Sequence, residues 1–78
     1  MIKENEIACC VRKAMEKYLS DLDGEKPHPI HDMVMRSVEK PLIELVLKYA
    51  EGNQTRAAEL LGINRNTLRS KMKQYQIK

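Results

Sequence analysis

The chain has 78 residues, a formal net charge of +3 and 42% hydrophobic residues, with no Phe, no Trp, three Tyr and two Cys. A chain this short forms one domain that buries only about 60–65% of its unfolded surface, and no stretch approaches the roughly 20 apolar residues needed to cross a bilayer. Adjacent Cys9 and Cys10 pair only with strain, so a disulfide-stapled secreted scaffold is excluded; without a secretory signal the chain is expected in the cytoplasm.

The first predicted helix runs from about Glu6 to Leu22, capped by Asn5 and closed near Gly24. Ile7, Val11, Ala14, Met15, Tyr18, Leu19 and Leu22 recur along it at helical spacing and make a broad apolar stripe. Cys9 and Cys10 read as reduced, half-buried residues of this helix. Gly24 to Pro29 holds a glycine and two prolines and is expected to be a turn.

The second segment, from about Ile30 to Glu51, contains Pro41, which has no N–H to give the Ser37 carbonyl. Val34, Val38, Leu42, Leu45, Val46 and Tyr49 keep one helical phase across it, and Lys40 would cap a new helix poorly. One long helix kinked at Pro41 and ending at Gly52 is therefore predicted. Its second half, with Leu42, Ile43, Leu45, Val46, Leu47, Tyr49 and Ala50, is apolar nearly all round. Such a helix is buried nearly all round, and one short subunit cannot cover it. A symmetric homodimer built by the first two helices of each subunit follows, with Val11, Met15, Tyr18, Val34, Val38, Leu42, Leu45, Val46 and Tyr49 at the interface. Met15, Met33, Met35 and Met72 read as gap-fillers of core or interface.

From Gly52 to Arg69 the chain reads as two short helices hinged at a glycine, the pattern of a helix-turn-helix that enters the DNA major groove. Asn53 and Asn64 are placed to cap them. Gly62 lies between, Ala58 is small enough to let the helices approach, and Leu61, Ile63, Leu68 and Met72 pin them together. The expected fold is thus all-α with four helices per subunit: residues 1–52 for dimerisation, residues 53–78 for the helix-turn-helix, in one compact unit.

Charge follows the same division. From Gln54 onward six basic residues face one acid, leaving this part at +5, whereas the first 53 residues, with eight basic and ten acidic, stand at −2. A merely solvated lysine-rich helix would mix both signs, whereas a phosphate-binding surface concentrates one. On the last helix Leu68, Met72 and Tyr75 define the inward face, which turns Asn66, Arg69, Ser70 and Lys73 outward and leaves Arg65 at the rim. Recognition helices reach bases with their first turn. Arg bonds guanine O6 and N7, and Asn reads adenine, so Asn64, Arg65, Asn66 and Arg69 are the candidates for base contact. Thr55, Arg56, Thr67, Lys71 and Lys73 are candidates for phosphate contact, with Gln54 close to the backbone. Capping alone would also account for Asn53 and Asn64.

Chemistry of other kinds finds little support. Cys9, Cys10, His28 and His31 are the soft ligands on offer, and their spacing fits no zinc motif. There is no phosphate-binding glycine loop, nucleophile elbow or carboxylate pair. No enzymatic activity, cofactor, metal or membrane partner is expected.

The segment GNQTRAAELLGINRNTLRSKMKQY resembles the C-terminal helix-turn-helix of the Fis family of bacterial nucleoid proteins, and EKPLIELVLKYAEGNQ resembles that family's proline-kinked central helix. The similarity reaches back through CVRKAMEKYLSDLDG and covers roughly Cys10 to Lys78. It implies an intertwined homodimer that bends DNA, because two recognition helices set closer than successive major grooves seat together only on a bent duplex with a narrowed minor groove. It also implies a nucleoid-associated transcription regulator of degenerate sites, with RNA polymerase as a candidate further partner. By match to the family motif, Asn64 and Arg65 would touch bases, while Asn53, Gln54, Thr55, Arg56, Thr67, Arg69 and Lys71 would grip the backbone. Where the family carries a lysine on the exposed face of the last helix, this chain carries Ser70. Family members that stimulate DNA inversion have a β-hairpin arm before the first helix. The five residues from Met1 to Asn5 are too few for paired strands, so DNA bending without invertase activation is expected. The alternative is the terminal DNA-binding domain of an NtrC-class activator, which ends in the same helix-turn-helix; an initial Met1 and the lack of an ATPase remnant argue against it.

Overall fold

A computed structural model describes residues 5–26 and 29–78. The lead before the first helix and the turn residues Pro27 and His28 lie outside the described residues. Four helices follow one another: α1 (Glu6–Asp21), α2 (Ile30–Tyr49), α3 (Gln54–Leu61) and α4 (Arg65–Gln74). There is no strand among the described residues, so the all-α expectation holds.

Most helix ends have a local cause. The Oδ1 atom of Asn5 accepts from the Ala8 amide at 2.8 Å and caps α1 as expected. Helix α2 runs unbroken through Pro41. The proline leaves the Ser37 carbonyl without its usual helical donor, while the Ser37 hydroxyl donates back to the Met33 carbonyl at 2.8 Å. Helices α2, α3 and α4 end in one and the same way. The amides of Gly52, Ile63 and Ile77 donate to the carbonyls of Leu47, Ala58 and Met72 at 2.9, 3.0 and 2.8 Å, each across a residue in the left-handed region. This is the Schellman stop. Only one of the left-handed residues is a glycine, Gly62 at φ 74°; the others are Glu51 at 56° and Gln76 at 57°. The stop of α2 is therefore made by Glu51, with Gly52 one place further along than a glycine-terminated helix would put it.

The core lies at the C-terminal end of the chain. Ile43, Leu47 and Ala50 from the end of α2 cluster with Ala57 and Ala58 of α3 and with Leu68, Met72 and Tyr75 from α4 and its cap. Ala57 and Leu68 have no exposed surface at all. Val46, Leu61, Ile63 and Ile77 pack around the cluster, so the expected pins Leu61, Ile63, Leu68 and Met72 do join α3 to α4.

The N-terminal half is a different case. Helix α1 contains no buried residue, and on α2 Leu42, Leu45 and Tyr49 are 46, 66 and 73% exposed. One side of the second half of α2 is covered and the other is bare. The consequence shows in the overall dimensions: a radius of gyration of 15.2 Å stands against roughly 11.5 Å for a compact domain of this length. The accessible surface of 6758 Å² likewise exceeds the roughly 4,900 Å² of an ordinary 9.1-kDa monomer.

Because Leu68 is wholly enclosed, truncating it leaves a cavity that helices α3 and α4 cannot collapse around without losing their contacts. Leu68→Ala is expected to cost about 2–5 kcal/mol, read as a lower urea midpoint at fixed protein concentration.

Candidate nucleic-acid interface

Two asparagines orient the helix-turn-helix. The Oδ1 of Asn53 accepts from the Arg56 amide at 3.1 Å and opens α3, and the Oδ1 of Asn64 accepts from the Asn66 amide at 2.7 Å and opens α4. Between them Gly62 adopts φ 74°, a conformation in which any Cβ is strained. The turn from α3 to α4 is thereby set by backbone and caps.

Helix α4 has two distinct faces. Leu68, Met72 and Tyr75 are buried, and Arg65, Asn66, Thr67, Arg69, Ser70 and Lys73 are all exposed. Thr55 and Arg56 on the first turn of α3 are exposed as well, and Gln54 is half-buried. An open groove of about 410 Å³ brings Gln54 together with Arg69, Ser70 and Lys73, floored by Met72 and Ile77. Of the residues expected to touch DNA, the groove thus brings together Gln54, Arg69, Ser70 and Lys73, while Asn64, Arg65, Asn66 and Thr67 at the start of α4 and Thr55 and Arg56 on α3 are exposed outside it. Charge of one sign along a helix face is what a polyanion binds.

Lys71 departs from that pattern. It is half-buried, and its Nζ lies 2.8 Å from Oε2 of Glu39 on α2. The other carboxylate oxygen, Oε1, accepts a hydrogen bond from the Tyr75 hydroxyl. The Lys71 ammonium, then the Tyr75 hydroxyl, hold the Glu39 carboxyl below its ordinary value, and the same bond to Glu39 raises the Tyr75 phenol above its own. Sequence reasoning missed this cluster. The clue was available: Glu39 lies one helical turn before Ile43 and two before Leu47, on the face of α2 that enters the core.

The dimer-face candidates of the two long helices also meet. Val11, Met15 and Tyr18 of α1 and Val34 and Val38 of α2 line a groove of about 290 Å³, with Cys10 at its edge. All five are half-buried. Among the described residues no group of three or more His, Cys, Asp or Glu could hold a metal ion, and no helix is long and apolar enough to cross a membrane. Cys9 and Cys10 are both exposed thiols rather than half-buried ones.

Residues 34–75 match the family described as bacterial regulatory protein, Fis family. The chain belongs to that family. It is 47% identical over 74 residues to a Fis-like DNA-binding protein of Ralstonia nicotianae, covering 95% of this chain and 96% of that one. It is 49% identical over 65 residues to the DNA-binding protein Fis of Mannheimia haemolytica, covering 83% of this chain and 66% of the relative. With the DNA-binding protein Fis of Psychromonas ingrahamii it shares 43% over 74 residues, which is 95% of this chain and 75% of the relative. The family is one of regulators rather than enzymes.

The Fis-family core can be interrogated through Glu39. A carboxylate whose folded value lies below its unfolded one adds stability that is present above the ordinary carboxylate range and is lost as pH falls through the folded value. Glu39→Gln is therefore expected to lower the thermal midpoint at neutral pH by the equivalent of about 1 kcal/mol or less. The gap from the unaltered chain should close on acidification below the ordinary carboxylate range, as followed by circular dichroism.

Proposed function

We propose that this chain is a homodimeric, sequence-tolerant DNA-binding protein that sets α4 of each subunit into the major groove, bends the duplex, and regulates transcription as part of the bacterial nucleoid. The observation that carries the reading is the division of α4: an inward face held by Leu68, Met72 and Tyr75, and an outward face of Arg65, Asn66, Arg69, Ser70 and Lys73. DNA binding itself is supported by relatives that are DNA-binding proteins and match nearly the whole chain. Bending and RNA polymerase as a further partner rest on family resemblance.

In this reading Arg65 and Asn64, at the start of the recognition helix, read bases, with Asn66 and Arg69 beside them. Asn53, Gln54, Thr55, Arg56, Thr67, Ser70, Lys71 and Lys73 contact the backbone. Arg69 is long enough and sufficiently exposed to serve either purpose.

Dimerisation is supported by what the subunit leaves uncovered. An accessible surface of 6758 Å² is about 1,900 Å² more than a monomer of this mass should show. Two such subunits could together bury an area in the range of obligate dimers, about 2,000–5,000 Å². The bare residues are apolar and lie where an apolar partner would fit: Leu42, Leu45 and Tyr49 on α2, with Val11, Met15, Tyr18, Val34, Val38 and the half-covered Val46 beside them. Light scattering at micromolar concentration is expected to give twice the chain mass of 9.1 kDa. Leu45→Asp places a charge on a position that is exposed within the subunit and buried between subunits. It should abolish the dimer and with it most of the helical signal; an unchanged dimer would overturn the assignment.

Base reading and backbone grip separate by their salt dependence. Arg65→Ala is expected to cost about 1–3 kcal/mol on preferred sites and much less on random duplex. Lys73→Ala should weaken both alike and flatten the dependence of log affinity on log salt by about one unit per half-site. Equal losses on both kinds of DNA for Arg65→Ala would move that residue to the backbone contacts.

A further inference from the structure

Resting on the proposed DNA binding, the ion pair between Glu39 and Lys71 carries a further consequence. Lys71 sits on the recognition helix among Arg69, Ser70 and Lys73, yet its ammonium is already engaged by a carboxylate from α2 at 2.8 Å. Both oxygens of that carboxylate are in use, one by Lys71 and one by Tyr75. The pair is accessible, with side-chain exposures of 29% for Lys71 and 21% for Glu39. An incoming anion can therefore reach the ammonium without unfolding anything.

We propose that Glu39 competes with the DNA backbone for Lys71, so that it acts as a built-in phosphate substitute restraining the sequence-independent grip of α4. Carboxylate and phosphate oxygens offer an ammonium the same kind of charge-assisted hydrogen bond. A lysine free in solution gains by exchanging condensed counterions of DNA for itself, and each such exchange adds to affinity and to salt dependence. A lysine held by an internal carboxylate must first give up that partner or share it, so its gain is smaller. Ser70 next to it supplies no charge, which leaves the restraint on Lys71 felt more strongly on this face. Glu39 is in this sense a positioning residue: it touches no DNA and acts through Lys71. Tyr75 holds the second oxygen and with it the direction in which Glu39 points.

The test is a double-mutant cycle on random-sequence duplex, using the full chain, Glu39→Gln, Lys71→Ala and the double variant. Binding is measured by fluorescence anisotropy over a series of potassium chloride concentrations. Glutamine keeps an acceptor for Tyr75 while removing the charge that holds Lys71. Glu39→Gln is expected to bind about threefold to tenfold more tightly at moderate salt and to steepen the salt slope by up to about one unit per half-site. Lys71→Ala should cost more in the Glu39→Gln background than in the unaltered one, because only there is the ammonium free. Equal cost of Lys71→Ala in both backgrounds would overturn the inference, since a general loss of negative charge would raise affinity without depending on Lys71. Should Glu39→Gln lose its helical signal, the ¹⁵N resonance of the Lys71 ammonium in the unaltered chain decides: a shift on adding duplex supports exchange of partners, and an unmoved resonance overturns it. Failure of the unaltered chain to bind any duplex would overturn the proposed function and this inference with it, whereas binding without coupling overturns this inference alone.

Discussion

Leu68 has no surface left to water, and the outward face of α4 depends on that enclosure. A ten-residue helix is too short to persist alone in water. Arg65, Arg69 and Lys73 hold a common direction only because Leu68, Met72 and Tyr75 are clustered with Ile43, Leu47, Ala57 and Ala58. The two alanines matter by their smallness: a larger side chain at either would push α3 away from its neighbours and turn the groove shared by Gln54 and Arg69. Affinity for a polyanion in this chain is thus an outcome of apolar packing on the far side of the same helix.

Helix α2 is the element that joins two tasks. Ile43 and Leu47 face the helix-turn-helix; Leu42, Leu45 and Tyr49 face away from it. A helix apolar on both sides has no stable place at the surface of a monomer, which is why the subunit is extended rather than compact. With a second copy on the bare side, any displacement of α2 about Pro41 would carry the helix-turn-helix with it. The spacing of the two recognition helices would then be a property of α2 rather than of α3 or α4.

Much of this was legible in the residues. Capping by Asn5, Asn53 and Asn64, the continuation of α2 through Pro41, and the split of α4 into two faces all follow from short-range chemistry that a sequence displays. Three things were not. Helix ends were sought at glycines, yet Glu51 and Gln76 take the left-handed position, because the hydrogen bonds of the stop and the docking of Ile77 on the core outweigh the modest steric cost. Periodicity showed that α2 was apolar on more than one side, but it could not say which side the subunit itself would cover. Nor could it show that Glu39 and Lys71, on different helices, are neighbours, since that contact joins residues far apart in sequence and nothing local makes it. Lys71 consequently read as one more phosphate contact.

The asparagine caps carry a consequence for what DNA would meet. Serine or aspartate would start α3 and α4 about as well as Asn53 and Asn64 do. An asparagine whose Oδ1 already accepts from a helix amide keeps its two Nδ2 hydrogens and one of its two oxygen lone pairs, so the cap fixes the direction from which it meets a ligand and leaves it chiefly a donor. Such a group suits phosphate oxygens and the acceptor edges of purines. A paired donor-and-acceptor contact with adenine would have to share that oxygen with the cap. In the proposed reading, the need to begin α4 at Asn64 would therefore restrict the directions from which that residue could meet a base.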